Sequence, residues 1–442
     1  MNLKRQVSVS NLIALCLCLI PVFDPYTFGQ IGGFDIGVVD AVLAVIAAAY
    51  VWNHKGIPCV RSLFLFGVLL LGLNLVAFTT SLSGSLATSL RVWLFWAFYC
   101  VIFTAASVWA DFKAVEKWAL RIAVAACVLM IIQFIFLSLN MEVWNGLIPF
   151  LPLGKYDGWS QMVDVTGAIR VHAFFQEPSY LGVYLLPVTA LALQRKKPLL
   201  ALLFGVCILM STSTLALGGL AMVVVWHMLC VIRTERSWKS IRIYVYGAIA
   251  VLVTGLAVCM LVPEMRTLVE YSIQKVAKIL SDLSDPRMGS TRLRLLGNIF
   301  LFPDYPLANQ LVGVGINQYT VVFAEQIQYA YSNSVVNMLL NSGLIGAVAF
   351  ISLGVLWFVK SSMPNKIYPL LFMFAMCTDQ MLFNWYFFYM LLWVLHGLKD
   401  SDKAVSVMHI SWTGMKQCKK KVCQIVSGTV SKMNGEKKKN GQ

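Results

Sequence analysis

The fold is decided by PLLALLFGVCILMSTSTLALGGLAMVVVWHMLCVI, which runs from Pro198 to Ile232 and carries no charged residue. A helix needs about 20 apolar residues to cross a bilayer, so this stretch is too long for one comfortable span and short for two. The polar group Ser211-Thr212-Ser213-Thr214 stands near its middle, where a turn between two helices could lie. Whether Pro198–Ile232 forms one span or two has to be decided from the rest of the sequence.

The composition of the whole chain is that of a membrane protein. Of its 442 residues, 59% are hydrophobic and 12% are charged, against about 25% charged in soluble proteins. The mean hydropathy is +0.75. These values exclude a cytosolic enzyme, a secreted disulfide scaffold and a disordered chain. They predict an all-α polytopic membrane protein.

The distribution of basic residues decides the topology. Apolar runs occur at about 9–28, 33–52, 62–80, 90–110, 119–139, 179–193, 198–211, 213–232, 243–262, 332–359, 367–380 and 381–397. If all twelve span the membrane, most of the 35 Lys and Arg residues lie on one side, together with the Lys-rich C-terminal tail. A single span over Pro198–Ile232 would place that tail outside and violate the positive-inside rule. The sequence therefore predicts twelve spans, with both termini cytoplasmic.

This topology divides the chain into a transmembrane bundle, residues 1–397, and a basic cytoplasmic tail, residues 398–442, which could contact anionic lipid. Only two connections are long, at about 140–178 and 263–331, and both are predicted to lie on the external face. The second contains apolar residues at helical spacing between Met265 and Leu283, which predicts an amphipathic helix on the membrane surface.

The first candidate site is the sequence RVHAFFQEPS, from Arg170 to Ser179, where the first long connection enters a span. Pro178 suits the first turn of a helix, and a carboxylate beside a helix N-terminus is favoured by the helix dipole. The plain interpretation is that Glu177 caps this helix and pairs with Arg170. The alternative is a functional site, because ionisable groups at the mouth of an apolar bundle are costly to keep.

The second candidate is RMGSTRLR, which places Arg287, Arg292 and Arg294 within eight residues of a loop that is otherwise balanced in charge. The planar guanidinium group binds phosphate oxygens in pairs, and a helix beginning near Ser290 would add backbone N–H donors. The alternative is a solvated turn in which these arginines pair with Asp282 or Asp285.

A third group of residues lies before and within the tenth span. Gly313-Val-Gly315 precedes Ser332-Asn333-Ser334, and Asn341-Ser-Gly343 and Gly346 follow. Small residues along a membrane helix usually mark close packing between helices, which is the favoured interpretation for Gly343 and Gly346. Ser332 and Asn333, at the external mouth, could contact a polar ligand.

Several chemistries lack a motif in this sequence. No phosphate-binding loop of the nucleotide-hydrolysing type is present, so nucleotide hydrolysis is not expected. Of the five histidines, only His172 falls in a predicted external connection, which makes a histidine metal site unexpected. We therefore predict neither a metal nor a cofactor.

Together these segments resemble the O-antigen polymerase and O-antigen ligase superfamily. The resemblance rests on Phe175-Gln-Glu177-Pro-Ser179, Gly-Ser-Thr-Arg292-Leu-Arg294, Gly313-Val-Gly315 and the run from Ser332 to Gly346, in that order, with two long external loops. It covers roughly residues 60 to 395 as architecture. It implies a metal-independent glycosyltransferase of the bacterial inner membrane that uses polyprenyl-pyrophosphate-linked glycans at the periplasmic face, and no nucleic acid.

The resemblance also implies roles for particular residues. Arg170, Arg292 and Arg294 would hold the donor pyrophosphate, and Glu177 would fix the first loop. Ligases of the superfamily typically carry a His-Asn pair where Ser332-Asn333 stands here, which favours a polymerase. A chain-length regulator and a flippase of the same pathway would be its protein partners, and membrane lipid would surround it.

Position and chemistry complete the set of candidate residues. His172 and Glu177 are the candidates for orienting or deprotonating the acceptor hydroxyl, because both lie at the external mouth. Arg287, Ser332 and Asn333 are candidate substrate-binding residues. Three alternatives to a polymerase stay open: a ligase that transfers glycan to lipid A-core, a flippase for lipid-linked oligosaccharide, and a structural scaffold of an assembly complex.

Overall fold

The computed structural model shows a mostly helical protein. It describes residues 3–31, 34–154, 159–163, 169–235, 294–327, 329–399 and 407–411, with positions 266, 270, 273, 274 and 277. The long helices in these ranges are α1 (Leu3–Phe23), α2 (Val38–His54), α3 (Arg61–Ala77), α4 (Leu86–Trp109), α5 (Phe112–Ser138), α6 (Pro178–Gln194), α7 (Pro198–Met210), α8 (Thr214–Glu235), α9 (Ser334–Lys360), α10 (Ile367–Thr378) and α11 (Trp385–Lys399).

Four short strands accompany the helices. Strands β1 (Thr27–Ile31) and β2 (Phe34–Gly37) form an antiparallel hairpin between α1 and α2. Strand β3 (Gly56–Val60) lies between α2 and α3, and pairs with β4 (Val407–Ser411) in the C-terminal tail. The prediction of an all-α chain is therefore wrong in detail.

The helix positions follow the apolar runs, with one local correction. Each predicted span within the described residues contains a helix, and the run at 243–262 lies outside them. The expected spans 9–28 and 33–52 extend too far, since residues 27–31 and 34–37 form the hairpin. The reason is local, because Pro25 and the glycines Gly29, Gly32 and Gly33 interrupt a helix and favour turns.

The division of Pro198–Ile232 into two helices is confirmed. Helix α7 ends at Met210 and α8 begins at Thr214. The turn between them is buried, and the Ser211 hydroxyl donates to the carbonyl of Ile208 at 2.7 Å. A buried turn needs such partners because its backbone groups have left the helical hydrogen-bond pattern.

Four of the described helices are long and apolar enough to cross a membrane: Leu86–Trp109, Phe112–Ser138, Thr214–Arg233 and Ser334–Lys360. The other apolar helices in the described ranges are shorter, such as α7 with 13 residues. At about 1.5 Å per residue, α7 falls well short of the hydrocarbon thickness of a bilayer.

The two long connections meet at one end of the bundle, which we call the loop end. There the backbone N–H of Thr27 donates to Pro152 at 2.9 Å, which joins the β1–β2 hairpin to the first long connection. The second connection reaches the α3–α4 turn, where Asn309 Nδ2 donates to the Thr80 hydroxyl at 2.6 Å. The amide oxygen of Gln318 also accepts from Ser85 N at 2.8 Å.

The opposite end, which we call the tail end, carries different contacts. The Ser10 hydroxyl donates to the carbonyl of Trp109 at 3.0 Å, and Gln194 Nε2 donates to Pro364 at 2.8 Å. Glu116 forms an ion pair with Arg195 and a hydrogen bond with His396. The β3–β4 sheet belongs to this end too, since β3 follows the last residue of α2.

Helix α9 is interrupted at Gly343, which has φ +67° and ψ −171°. Residues 311–315 of the second connection cross the helix at this break, and Gly315 N donates to Asn341 O at 3.0 Å. A Cβ added to Gly343 would lie 2.3 Å from the Leu311 carbonyl, and one added to Gly313 would lie 2.2 Å from Asn341 O. The close packing between helices that was predicted at Gly343 is therefore wrong, because the segment that packs closely against Gly343 is a loop.

The predicted amphipathic helix between Met265 and Leu283 lies mostly outside the described residues. Positions 266, 270, 273, 274 and 277 are helical and exposed. Arg266 and Glu270 form an ion pair at 2.9 Å, one helical turn apart.

Candidate functional site

The site is centred on Arg294, at the loop end of the bundle. Its guanidinium Nη1 lies 3.8 Å from Asp379 Oδ2, at the end of α10. This separation exceeds that of a direct hydrogen bond. Asp379 therefore stabilises the charge of Arg294 without taking up its N–H donors. The Arg294 side chain is 44% exposed and the Asp379 side chain 13%, so the cation is partly open to solvent while the carboxylate is mostly buried.

Two further groups fix the Asp379 carboxylate. The Tyr331 hydroxyl and the backbone N–H of Gln380 both donate to Oδ1, the latter at 2.8 Å. Burial and the Asp379 charge raise the pKa of Tyr331, so this phenol stays protonated and remains a donor. These two hydrogen bonds hold the Asp379 carboxylate in place near Arg294.

Glu177 belongs to the same charged group. Burial lowers the pKa of Arg294, but Asp379, Tyr331, Glu177 and Tyr180 together raise it by more, so the pKa lies above its ordinary value. Glu177 has extended backbone angles at the start of α6, and Pro178 occupies the first helical turn. The Glu177 carboxylate makes no capping bond to the helix backbone and accepts from the Ser179 hydroxyl at 2.9 Å. Glu177 therefore occupies the predicted position at the N-terminus of α6, but its side chain makes no capping hydrogen bond there.

Arg170 lies in the same connection but points elsewhere. Its Nε donates to the Thr212 hydroxyl at 3.2 Å, in the turn between α7 and α8. Among the ion pairs of the described residues, none joins Arg170 to Glu177. The expected pairing of these two residues is thus not found. Arg170 attaches the first connection to the α7–α8 turn.

His172 is fully buried, with each ring nitrogen next to a backbone carbonyl. Nδ1 lies 2.6 Å from Phe175 O, and Nε2 lies 3.2 Å from Ser160 O. Burial lowers the pKa of His172, the two carbonyls raise it, and the charge of Arg170 lowers it further, so the ring favours the neutral form. This arrangement gives His172 a role in folding the loop. A general base needs a nitrogen open to substrate, so catalysis by His172 remains a prediction that would require the loop to open.

Ser332 and Asn333 hold the segment that carries Arg294. Asn333 Nδ2 donates to the carbonyls of Arg294 at 3.1 Å and Leu295 at 2.8 Å, while its Oδ1 accepts from Val336 N at the start of α9. The Ser332 hydroxyl accepts from Asn298 N at 3.0 Å. Both side chains are buried. They act in this structure as positioning residues, and direct contact with substrate remains a prediction.

Arg287 and Arg292 lie outside the described residues, so their predicted roles rest on the sequence. Three residues of the site were missed as participants: Asp379, Tyr331 and Ser334. Ser334 donates its hydroxyl to Asp379 O at 2.9 Å and accepts from Met381 N at 2.8 Å, which shapes the turn after α10. In the sequence, Asp379 could have indicated this part of the site, because it is a single acidic residue at the external end of an apolar run.

The arrangement can bind an anion and orient a hydroxyl group. A guanidinium with open N–H donors, held near two carboxylates at the edge of an apolar bundle, suits phosphate oxygens. The charge of Glu177 contributes to the raised pKa of Arg294, and its carboxylate can accept a hydrogen bond from a sugar hydroxyl. Among the described residues, no group of three or more His, Cys, Asp or Glu is placed to hold a metal ion.

The described fold and site define a mostly helical protein with four helices able to cross a membrane and a charged site at one end of its bundle. No protein-family model matches the chain, and no curated protein matches it in sequence. The functional argument therefore depends on the site and on the sequence motifs.

Proposed function

We propose that the protein is a glycosyltransferase of the bacterial inner membrane that polymerises polyprenyl-pyrophosphate-linked oligosaccharide repeat units into surface polysaccharide at the periplasmic face. The observation that carries this proposal is the position of Arg294. Its charge is stabilised by Asp379, its backbone is held by Asn333, and its side chain is partly exposed at the loop end. Arg287 and Arg292 precede it in the same connection.

The chemistry of the proposed reaction fits these groups. Displacement of a sugar from a lipid pyrophosphate leaves negative charge on the phosphate oxygens, and fixed cations stabilise that charge as it develops. Arg294 supplies such a cation without a metal or nucleotide. Glu177 would orient the acceptor hydroxyl. The apolar bundle would hold the polyprenyl chain.

The proposed orientation has twelve spans, with both termini in the cytoplasm. The contacts at the two ends of the bundle support it, because both long connections share the loop end. The tail strand β4 pairs with β3, and the sequence placed both segments on the cytoplasmic side.

Reporter fusions test this orientation. After Tyr305, a reporter that works only in the periplasm is expected to be active. After Lys421, a reporter that works only in the cytoplasm is expected to be active, because positively charged segments stay inside. Paired alkaline phosphatase and fluorescent protein fusions at both positions provide the measurement. A cytoplasmic reporter at Tyr305 would place the Arg294 site on the wrong side for periplasmic substrates.

The glycans of a deletion strain test the reaction. If the protein is a polymerase, cells lacking it are expected to display a single repeat unit on the acceptor, because export and ligation continue while joining of repeats stops. The measurement is electrophoresis and mass spectrometry of surface and lipid-linked glycans, with a strain carrying the intact gene on a plasmid as control.

Each alternative has its own outcome in the same experiment. Long polymer left on the carrier lipid would contradict a polymerase and identify a ligase. Single repeats trapped on the cytoplasmic side would identify a flippase. An unchanged glycan profile would contradict the polymerase, the ligase and the flippase alike, and would leave a structural or unrelated role.

A further inference from the structure

A groove runs between α3 and α9, from the tail end of the bundle towards its middle. Its volume is about 620 Å³. One face of each helix forms its walls, because the lining positions on both helices recur three or four residues apart. We call it the basic groove, after two of the residues that line it, and its chief lining residues are Arg61, Ser62, Leu65, Leu356, Trp357 and Lys360.

Aromatic side chains form the floor of the basic groove. Trp357 of α9 is 1% exposed, and its Nε1 donates to the Ser62 hydroxyl of α3 at 3.2 Å. Further along, Phe66 of α3 and Phe350 of α9 lie with their ring centroids 5.9 Å apart. These contacts fix the distance between the two helices, so the groove is part of the packed fold.

The groove opens onto an apolar surface. Leu65, Leu69 and Leu356 line it and are exposed, and Val68 and Val355 beside them are exposed as well. Helix α9 is one of the described helices that are long and apolar enough to cross a membrane. A continuous apolar surface of this kind marks a contact with lipid or with another protein.

Two cations lie at the tail end of the groove. Arg61 is the first residue of α3 and Lys360 is the last residue of α9, and both are exposed. Among the described residues that line the groove, none is Asp or Glu. Val60, at the N-cap position of α3, has no side-chain oxygen for the first N–H groups of that helix, which carry partial positive charge. This end of the groove therefore suits an anion.

The length of the groove indicates an acyl chain. Its lining on α9 extends from Ala349 to Lys360, which at 1.5 Å per residue is roughly 16 Å. The hydrocarbon core of a bilayer is about 30 Å thick, so the groove is about as long as one leaflet is deep. A soluble anion would occupy only the end with the two cations, whereas a phospholipid would occupy the whole groove.

We propose that the basic groove binds an anionic phospholipid, with the head-group phosphate at Arg61 and Lys360 and one acyl chain between α3 and α9. Guanidinium and ammonium groups bind phosphate oxygens, and their aliphatic stems can lie along apolar walls. A zwitterionic lipid carries the same phosphate, but it also carries a cation that these two residues would repel. The site is independent of the proposed function, and only its assignment to the cytoplasmic leaflet rests on the proposed orientation.

Lipid binding to the purified full-length protein in detergent tests the site. The probes are dioleoyl phosphatidylglycerol and dioleoyl phosphatidylcholine, and native mass spectrometry measures the affinity for the first bound lipid. The wild type is expected to prefer phosphatidylglycerol. Arg61→Gln combined with Lys360→Gln is expected to weaken phosphatidylglycerol binding on the order of twentyfold, because each basic residue contributes a factor of about five.

A second variant tests the acyl-chain part of the groove without changing a charge. Ser352 is exposed and lines the groove, so the larger side chain of Ser352→Phe would fill the space between the helices. It is expected to weaken phosphatidylglycerol binding several-fold. Glycerol phosphate, which carries a phosphate but no acyl chain, is expected to leave the lipid bound.

A matched control removes two cations from another helix at the same end. Lys113 and Lys117 of α5 are exposed, and neither lines the basic groove. Lys113→Gln combined with Lys117→Gln changes the net charge by the same amount and is expected to bind phosphatidylglycerol as the wild type does. Thermal melting of each variant in detergent checks that it is folded.

Several outcomes would overturn the proposal. Equal affinity of the wild type for the two lipids would do so, as would wild-type affinity in the variant that lacks Arg61 and Lys360. Displacement of the lipid by glycerol phosphate would identify a site for soluble anions instead. Selective binding only after removal of residues 412–442 would make the tail the occupant of the groove. A changed oligomeric state in Ser352→Phe would make the groove an interface between two copies of the chain.

Discussion

Arg294→Ala is expected to abolish polymer while the protein remains inserted and abundant. The side chain is 44% exposed and lies outside the apolar core, so its removal leaves no cavity in that core. Its loss removes the cation that would stabilise the pyrophosphate leaving group. Such a loss typically costs several kcal/mol, a factor of about a hundred or more in rate. Polymer length and amount in the complemented deletion strain provide the measurement, with immunoblotting for protein level.

Two variants sharpen this result. Arg294→Lys is expected to restore activity only in part, because an ammonium group keeps the charge but loses the paired geometry of guanidinium. Arg266→Ala is the matched control, since Arg266 is exposed in the same connection and, within the described part of the chain, forms an ion pair with Glu270, a contact of little energetic value. Near-normal polymer in Arg294→Ala, Arg292→Ala and Arg170→Ala alike would favour the solvated-turn interpretation of the arginine cluster.

Gly343→Ala is expected to prevent accumulation of folded protein. The backbone angles of Gly343 lie in a region that only glycine occupies readily. An alanine Cβ would also lie 2.3 Å from the Leu311 carbonyl, a backbone group that cannot move aside cheaply. The combined cost is roughly 4 kcal/mol or more, a large share of the stability of an ordinary domain. Size-exclusion chromatography and thermal melting in detergent provide the measurement.

Gly72→Ala serves as the control for this substitution. Gly72 lies on an exposed face of α3, with no atom within 4 Å of an added Cβ. Alanine favours a helix there, so the variant is expected to be as stable as the wild type or slightly more stable. A monodisperse Gly343→Ala protein with an unchanged melting temperature would show that the break in α9 is not needed for folding.

The helices were predictable from the sequence because hydrophobicity is a local property. Uncharged apolar runs located the helices, and the polar group at Ser211–Thr214 located the turn between α7 and α8. The hairpin β1–β2 was missed because its residues are apolar enough to extend a span. Pro25 and the glycines near it in the sequence were the better indication that the helix ends and a turn follows.

The site was predictable only in part, for a different reason. Arg294 and Glu177 carry chemical signals in their own segments, and both lie in the charged group at the loop end. Their relation to Asp379 could not be deduced, because it depends on three distant segments meeting in space. Ser332 and Asn333 were predicted to contact a polar ligand because they are polar residues at the external end of a span. The sequence could not reveal that their partners are the backbone groups of the Arg294 segment.

The pairing of β3 with β4 has a consequence for the order in which the protein is made. A ribosome synthesises β3 and its flanking helices long before it reaches Val407, so β3 is without its partner strand β4 during most of synthesis. Open strand edges attract other extended chains, although Pro58 removes one donor from this edge. The β3–β4 sheet can therefore form only after residues Val407–Ser411 have been synthesised, and a chain released by the ribosome before that point would leave β3 unpaired.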